Sequence, residues 1–168
     1  LKSKNQKKYI YIRIYKYCMY MNVENVIKTN IKIPLHKRTI IHLSLIMNKI
    51  DEQVSTCLKP FEISIQQYNV LSILRGQKGN PANLSTINER MVSKMSNTTR
   101  LVDKLILKGY VNRTVCKQNR RKVEIRITES GLNILKDLDG ILFETEKKIL
   151  GNFNETELHK LNILLNKF

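Results

Sequence analysis

Between Ser93 and Arg126 the spacing of the apolar residues changes once, and that change limits what the chain can fold into. From Ser93 to Gly109, Met95, Leu101, Val102, Leu105 and Ile106 recur at helical spacing. At about 100° per residue they share one face with Thr98. Ser93 is placed to cap the first turn, and Gly109 to stop the last. Ser96, Asn97, Arg100, Asp103 and Lys104 fall on the opposite face, with Thr99 at its margin. After Tyr110 the pattern alternates instead. Val111 and Val115 precede a polar turn, Lys117-Gln118-Asn119-Arg120, and Val123, Ile125 and Ile127 follow it. β-Branched residues at period two on both sides of a polar turn predict an antiparallel hairpin.

The polar face of that helix offers amide, hydroxyl and guanidinium groups. These groups read base edges in a major groove, Arg being suited to guanine and Asn to adenine. The hairpin tip adds Lys117, Arg120, Arg121 and Lys122, a cationic finger beside the helix. Helix, hairpin and basic tip together describe a winged helix. The candidate nucleic-acid contacts are therefore Lys94, Ser96, Asn97, Thr99, Arg100 and Lys104 on the helix, with Lys117, Arg120, Arg121 and Lys122 on the wing.

The charge distribution points the same way. The chain carries a net charge of +16, and residues 94–128 hold ten basic and two acidic residues, whereas residues 129–168 hold five basic and seven acidic ones. A solubility charge would be spread more evenly. Segregation onto the helix and hairpin favours a polyanionic partner.

Around this centre the apolar pattern predicts further helices. Leu35 to Leu58 carries a stripe of Ile40, Leu43, Ile46 or Met47, Ile50, Val54 and Leu58. Lys59-Pro60-Phe61 ends it, since proline disfavours helix in the residue before it. Ser64 and Gln67 make a capping box for Ile65 to Arg75, whose Tyr68, Leu71 and Leu74 face inward. Gly76 to Pro81 reads as a loop. Ser85 is placed to cap a short helix from Thr86 to Val92. Thr128 starts a long helix that Gly140 weakens and Gly151 ends. Asn154 with Glu157 caps a last helix bearing Leu158, Leu161, Leu164, Leu165 and Phe168. The expected fold class is mainly α with a small β-hairpin wing: a winged helix-turn-helix with flanking dimerisation helices.

Length and composition exclude several classes. At 168 residues, 42% of them apolar, one domain with its own core is expected over residues 21–168. Within it the winged core takes in about 61–128, and dimerisation helices about 35–58 and 129–168. Residues 1–20 differ from the rest, with six Lys/Arg, no acid and five of the seven tyrosines. The functional reading of this stretch is an arm on DNA phosphates. The plainer one, which we adopt, is a basic extension that is appended or disordered, because Met21 opens an ordinary-looking sequence. Cys18, Cys57 and Cys116 form no C-x-x-C pair and no zinc spacing with His36, His42 or His159. No apolar run reaches the roughly 18 residues of a membrane span, so a cytoplasmic protein is expected. No Ser/His/Asp set, Gly-rich phosphate loop or paired carboxylates suggest an enzyme. Neither a cofactor nor a metal is expected. RNA binding would favour exposed aromatics, and a protein-docking winged helix would expose an apolar helix face. Outside residues 1–20 only Tyr68, Tyr110 and four Phe are aromatic, and the helix face from Ser93 is polar and cationic.

Several phrases, in order, resemble the MarR family of bacterial transcriptional regulators. They are Ile63-Ser64-Ile65-Gln66-Gln67-Tyr68-Asn69-Val70-Leu71, Ser96-Asn97-Thr98-Thr99-Arg100-Leu101-Val102-Asp103-Lys104-Leu105 and Lys108-Gly109-Tyr110-Val111-Asn112-Arg113. Asn119-Arg120-Arg121-Lys122-Val123, Ile127-Thr128-Glu129-Ser130-Gly131 and Leu161-Asn162-Ile163-Leu164-Leu165-Asn166-Lys167 follow. The resemblance spans about residues 35–168. It implies a sequence-specific regulator of double-stranded DNA, a homodimer on a palindromic operator, with repression relieved by a small aromatic acid-like effector or by oxidation. The family's wing usually carries D-x-R, whose Asp orients an Arg entering the minor groove. Here the triplet is Asn119-Arg120-Arg121, so Arg121 matches the Arg while Asn119 gives no charge-assisted hydrogen bond. Where hydroperoxide-responsive relatives place a sensing cysteine, this chain has His36 and His42, which favours a ligand over a thiol as signal.

Overall fold

The computed structural model describes residues 22–94, 97–116 and 119–168, with backbone alone at Cys116 and residues 119–122. It divides into two compact units, one up to Lys49 and one from Ile50 to Phe168. The boundary expected at 20/21 lies outside the described residues.

In the first unit Asn22 caps a one-turn helix, α1 (Val23–Val26), and Glu24 accepts a hydrogen bond from Arg38 at 2.8 Å. Arg38 lies on α2 (Leu35–Leu58), the 24-residue helix whose ends the sequence predicts. A 3₁₀ turn over Lys59–Phe61 closes it, with Pro60 where no N–H is needed. Along the apolar stripe of α2, Leu58 is fully buried and Val54 packs on the core, but Leu35, Ile40, Ile46 and Met47 are exposed.

The second unit is built on α3 (Ile65–Arg75), which packs against the helices and strand that follow. Its capping box is present, with Ser64 Oγ accepting from Gln67 N–H and Gln67 Oε1 from Ser64 N–H. Val70, Leu71 and Leu74 point into the core. Next comes α4 (Leu84–Arg90), capped by Asn83 and not by Ser85. Starting at Leu84 sends both Leu84 and Ile87, three residues apart, to the core. Ser85 instead donates to Glu89 within the helix. Met91 turns extended and buries its own side chain, so the helix stops short of Val92.

The expected helix from Ser93 starts later. α5 spans Thr98–Leu107 and is capped by Asn97, whose side chain accepts from Arg100 N–H at 3.1 Å. Tertiary contacts set this start. Thr98, Val102 and Leu105 form the buried stripe, and the Thr98 hydroxyl donates to Asn88 of α4 at 3.1 Å. The residues before it serve as the turn of a helix-turn-helix. Met95 and Ser96 lie outside the described residues. Gly109 does end the helix, at φ +74°, with Gly109 N–H reaching Ile106 and Tyr110 N–H reaching Leu105. That pair of bonds needs a left-handed residue, which glycine adopts without steric cost.

The hairpin follows, β1 (Val111–Cys116) and β2 (Asn119–Ile127), in register from Val111 opposite Ile127 to Val115 opposite Val123. Beyond Val115 the register shifts so that Cys116 faces Asn119. β2 already includes Asn119 and Arg120, two of the four residues expected in the polar turn, and Lys117 and Gln118 lie outside the described residues. Ala82 adds a one-residue bridge, exchanging both backbone hydrogen bonds with Ile125. The segment read as loop therefore ends as a fragment of sheet.

Thr128 caps α6 (Glu129–Leu150) by accepting from Gly131 N–H at 3.0 Å, and its hydroxyl donates to Gly109 O at 2.7 Å. A Cβ at Gly131 would lie 2.2 Å from the Tyr110 carbonyl oxygen, so only glycine allows this approach. Gly140 does not interrupt α6, and Gly151 follows its last residue. Asn154 and Glu157 complete a capping box for α7 (Glu155–Leu165). A polar link joins α3 to α6: Asp139 accepts from Tyr68 at 2.9 Å and pairs with Arg75. Burial pushes the Asp139 carboxyl up, but the Arg75 guanidinium and Tyr68 hydroxyl outweigh it and hold it below its ordinary value. Burial first, and then the Asp139 hydrogen bond, raise Tyr68.

Candidate nucleic-acid interface

The apolar stripe of α5 is turned inward, so its other side faces solvent. Thr99, Arg100, Asp103 and Lys104 are all exposed there, as the sequence pattern requires. Arg100 and Lys104 make no side-chain hydrogen bond or ion pair among the described residues, which leaves both cations available to a partner.

Three other cations nearby are occupied. Lys94 Nζ reaches the carbonyls of Asn88 and Glu89 at the end of α4, where carbonyls lack helical partners. Lys108 pairs with Glu62 at 3.1 Å. Arg113, on β1, donates to Asp103 at 3.2 Å. Asp103 thus pairs across to β1 and not with Arg100 or Lys104 of its own helix or with Lys108 just after it. A signal for it existed: period two puts Arg113 on the same side of β1 as the buried Val111, the side that meets α5.

Asn97 is placed differently from its sequence reading. Its side-chain oxygen is spent on capping, which leaves its amide N–H groups to point outward from the head of α5 rather than from a face. Lys94 sits in the turn before α5 and not on the helix. Ser96 and Lys117 lie outside the described residues. Arg120, Arg121 and Lys122 are in β2, where the irregular register begins, and their side chains also lie outside the described residues. Among the described residues no group of His, Cys, Asp and Glu is arranged to hold a metal ion. No helix among them is long and apolar enough to cross a membrane.

A two-helix unit with an exposed cationic second helix, followed at once by a two-stranded hairpin and a long helix, defines a winged-helix DNA-binding regulator. Known proteins agree. The MarR family model matches residues 63–123, from the turn before α3 into β2. The transcriptional regulator PecS of Dickeya dadantii is 28% identical over 128 residues, covering 74% of this chain and 76% of its own. A MarR transcription factor from Planctomyces limnophilus is 30% identical, with 82% of this chain and 100% of that one covered at a TM-score of 0.63. The fold also matches BpsR of Bordetella bronchiseptica, solved to explain regulation of its DNA binding by 6-hydroxynicotinic acid. There the TM-score is 0.71 at 15% identity, over 81% of this chain and 96% of the other. The chain belongs to the MarR family, whose members are DNA-binding transcription regulators and not enzymes.

Proposed function

We propose that the protein is a ligand-responsive repressor, acting in the cytoplasm as a homodimer on a near-palindromic operator. The observation that carries the DNA contact is the exposed face of α5, where Thr99, Arg100 and Lys104 stand beside the hairpin and both cations lack an intramolecular partner among the described residues. In this reading α5 enters the major groove, with Arg100 and the Asn97 amide on base edges. Thr99, Lys94, Lys104 and Ser96 support it from the flanks. Lys117, Arg120, Arg121 and Lys122 grip backbone and minor groove from the wing.

The dimer is supported by apolar side chains that the chain leaves uncovered. On α2 these are Leu35, Ile40 and Met47; on and after α7 they are Ile163, Leu164, Leu165 and Phe168. Each such residue favours burial by roughly 1.5–3 kcal/mol. Two-fold symmetry in the protein then calls for two-fold symmetry in the operator, with half-sites about 10 bp apart.

A small aromatic acid is the proposed effector, by analogy with the ligand named for BpsR. Oxidation is the less favoured trigger. Cys57 is half-buried, and its thiol donates to Val54 O at 3.1 Å within its own helix. A thiol sensor needs an exposed thiolate near a cation.

Selection of bound fragments from random double-stranded DNA tests the core of this reading. A near-palindrome bound by one dimer is the expected result. Enrichment of no sequence, or of a site without two-fold symmetry, would overturn it.

A further inference from the structure

Asp103 is the one acid on α5, and it stands on the face that the proposed function turns toward phosphates, beside Lys104 and one turn from Arg100. A carboxylate there repels DNA, so its presence needs a reason. Helix stability does not supply one. Asp103 lies beyond the first turn, where an acid gains from the helix dipole, and its side chain is half exposed. Nor does the fold need the ion pair, since exposed pairs add little to stability. What the carboxylate does is hold Arg113. The guanidinium comes 3.2 Å from Asp103 across the corner between α5 and β1, with the Arg113 side chain still 35% exposed.

We propose that Asp103 limits the strength and salt dependence of DNA binding by keeping Arg113 out of phosphate contact. The inference rests on the DNA-binding reading above. Every cation that meets phosphate tightens binding to all sequences alike, whereas discrimination comes from base contacts. An acid that occupies one cation per protomer therefore lowers the affinity for operator and arbitrary DNA alike, and discrimination stays with Arg100 and the Asn97 amide. Arg113 and Asp103 form a neutral pair inside a cationic face, and the effective charge of that face is set by Arg100 and Lys104.

The test measures affinity for the selected operator and for scrambled DNA over a salt series, for the wild type, Asp103→Asn, Arg113→Gln and the double variant. Asp103→Asn is expected to tighten scrambled DNA by up to about eightfold per protomer at 0.1 M salt, and to steepen the log–log salt slope by about 0.9 per protomer. Operator affinity is expected to rise by the same factor, so the ratio of operator to scrambled affinity stays unchanged. Arg113→Gln alone is expected to leave the scrambled-DNA slope unchanged, because its cation is already taken, and the double variant to show none of the Asp103→Asn gain. An unchanged slope in Asp103→Asn would overturn the proposal. So would loss of operator affinity with scrambled affinity constant, which would make Asp103 a base reader. A shallower slope in Arg113→Gln would also overturn it, and that arm stands even if Asp103→Asn melts at a lower temperature. A wild type with no preference for its operator would defeat the DNA-binding reading itself. A wild type that discriminates, with Asp103→Asn unchanged, defeats this inference alone.

Discussion

Gly131→Ala is the substitution for which the structure gives the firmest magnitude. On helix propensity alone, alanine inside α6 should stabilise by about 1 kcal/mol over glycine. The corner that joins α5, the hairpin and α6 reverses that sign. The added Cβ would stand 2.2 Å from the Tyr110 carbonyl oxygen and 2.8 Å from Ile127 Cγ1. The first of these is backbone and cannot rotate away, so the start of α6 must move off β1 and loosen the bonds from Thr128 to Gly109 and Tyr110. Overpacking of this kind costs about 1–3 kcal/mol, and a contact so far inside the van der Waals limit belongs at the upper end. The net expectation is a loss of about 2 kcal/mol. Gly140 provides the control in the same helix: a Cβ there meets nothing within 4 Å. Gly140→Ala should therefore gain about 0.5–1 kcal/mol. Urea unfolding at fixed protomer concentration measures both, and the two variants should differ by about 3 kcal/mol. If Gly131→Ala were as stable as Gly140→Ala, the close approach at Tyr110 would not exist.

The other expectations concern the proposed DNA contacts, the dimer and the α3–α6 link. Arg100→Ala should cost about 1–3 kcal/mol per base contact and relax preference at particular base pairs, read on a panel of single-base operator variants. Arg120→Ala with Arg121→Ala should weaken operator and scrambled DNA alike and reduce the salt slope by about one unit per lost phosphate contact; redirected base preference would reverse these roles. Replacing Ile163 and Leu164 by Ser should shift sedimentation toward monomer at micromolar concentration, and an unmoved dimer would place the interface elsewhere. The Asp139 carboxyl is held below its ordinary value in the folded chain, so its stabilisation is present above the unfolded carboxyl's range and is lost as pH falls through the folded value. Because the pair with Arg75 is partly exposed, Asp139→Asn should cost no more than about 1 kcal/mol at pH 7. That gap should close as pH falls below the ordinary carboxylate range and through the lowered folded value, and a gap independent of pH would deny the carboxylate its role.

The long elements were legible in the sequence because their information is local. The stripe from Ile40 to Leu58 and the block at Pro60 determine α2, and the Ser64/Gln67 and Asn154/Glu157 boxes locate two more helix starts. Cap positions failed where several capping residues compete. Asn83 and Ser85 both suit the start of α4, and Ser93, Ser96 and Asn97 all precede α5. The choice falls to whichever start sends Leu84 with Ile87, or Thr98 with Val102 and Leu105, into the core. That is a tertiary condition. The exposed face of α5 was readable from periodicity alone, since every residue opposite a buried stripe must face out. Which cations on and around it are free was not. Lys94, Lys108 and Arg113 differ from Arg100 and Lys104 only in what other segments bring near them.

The bridge between Ala82 and Ile125 bears on how the chain avoids its own kind. A two-stranded hairpin presents open backbone along its outer strands, and such an edge invites strands from other molecules. At Ile125 that invitation is withdrawn, because Ala82 takes both the N–H and the C=O. The segment doing so is a poor template in turn. Pro81 has no N–H to offer, and Asn83 already turns into α4. A foreign strand would have to displace Ala82 and would find no continuing ladder beyond it. Strand addition along β2 is thereby blocked at Ile125, the middle of the paired stretch that runs from Val123 to Ile127.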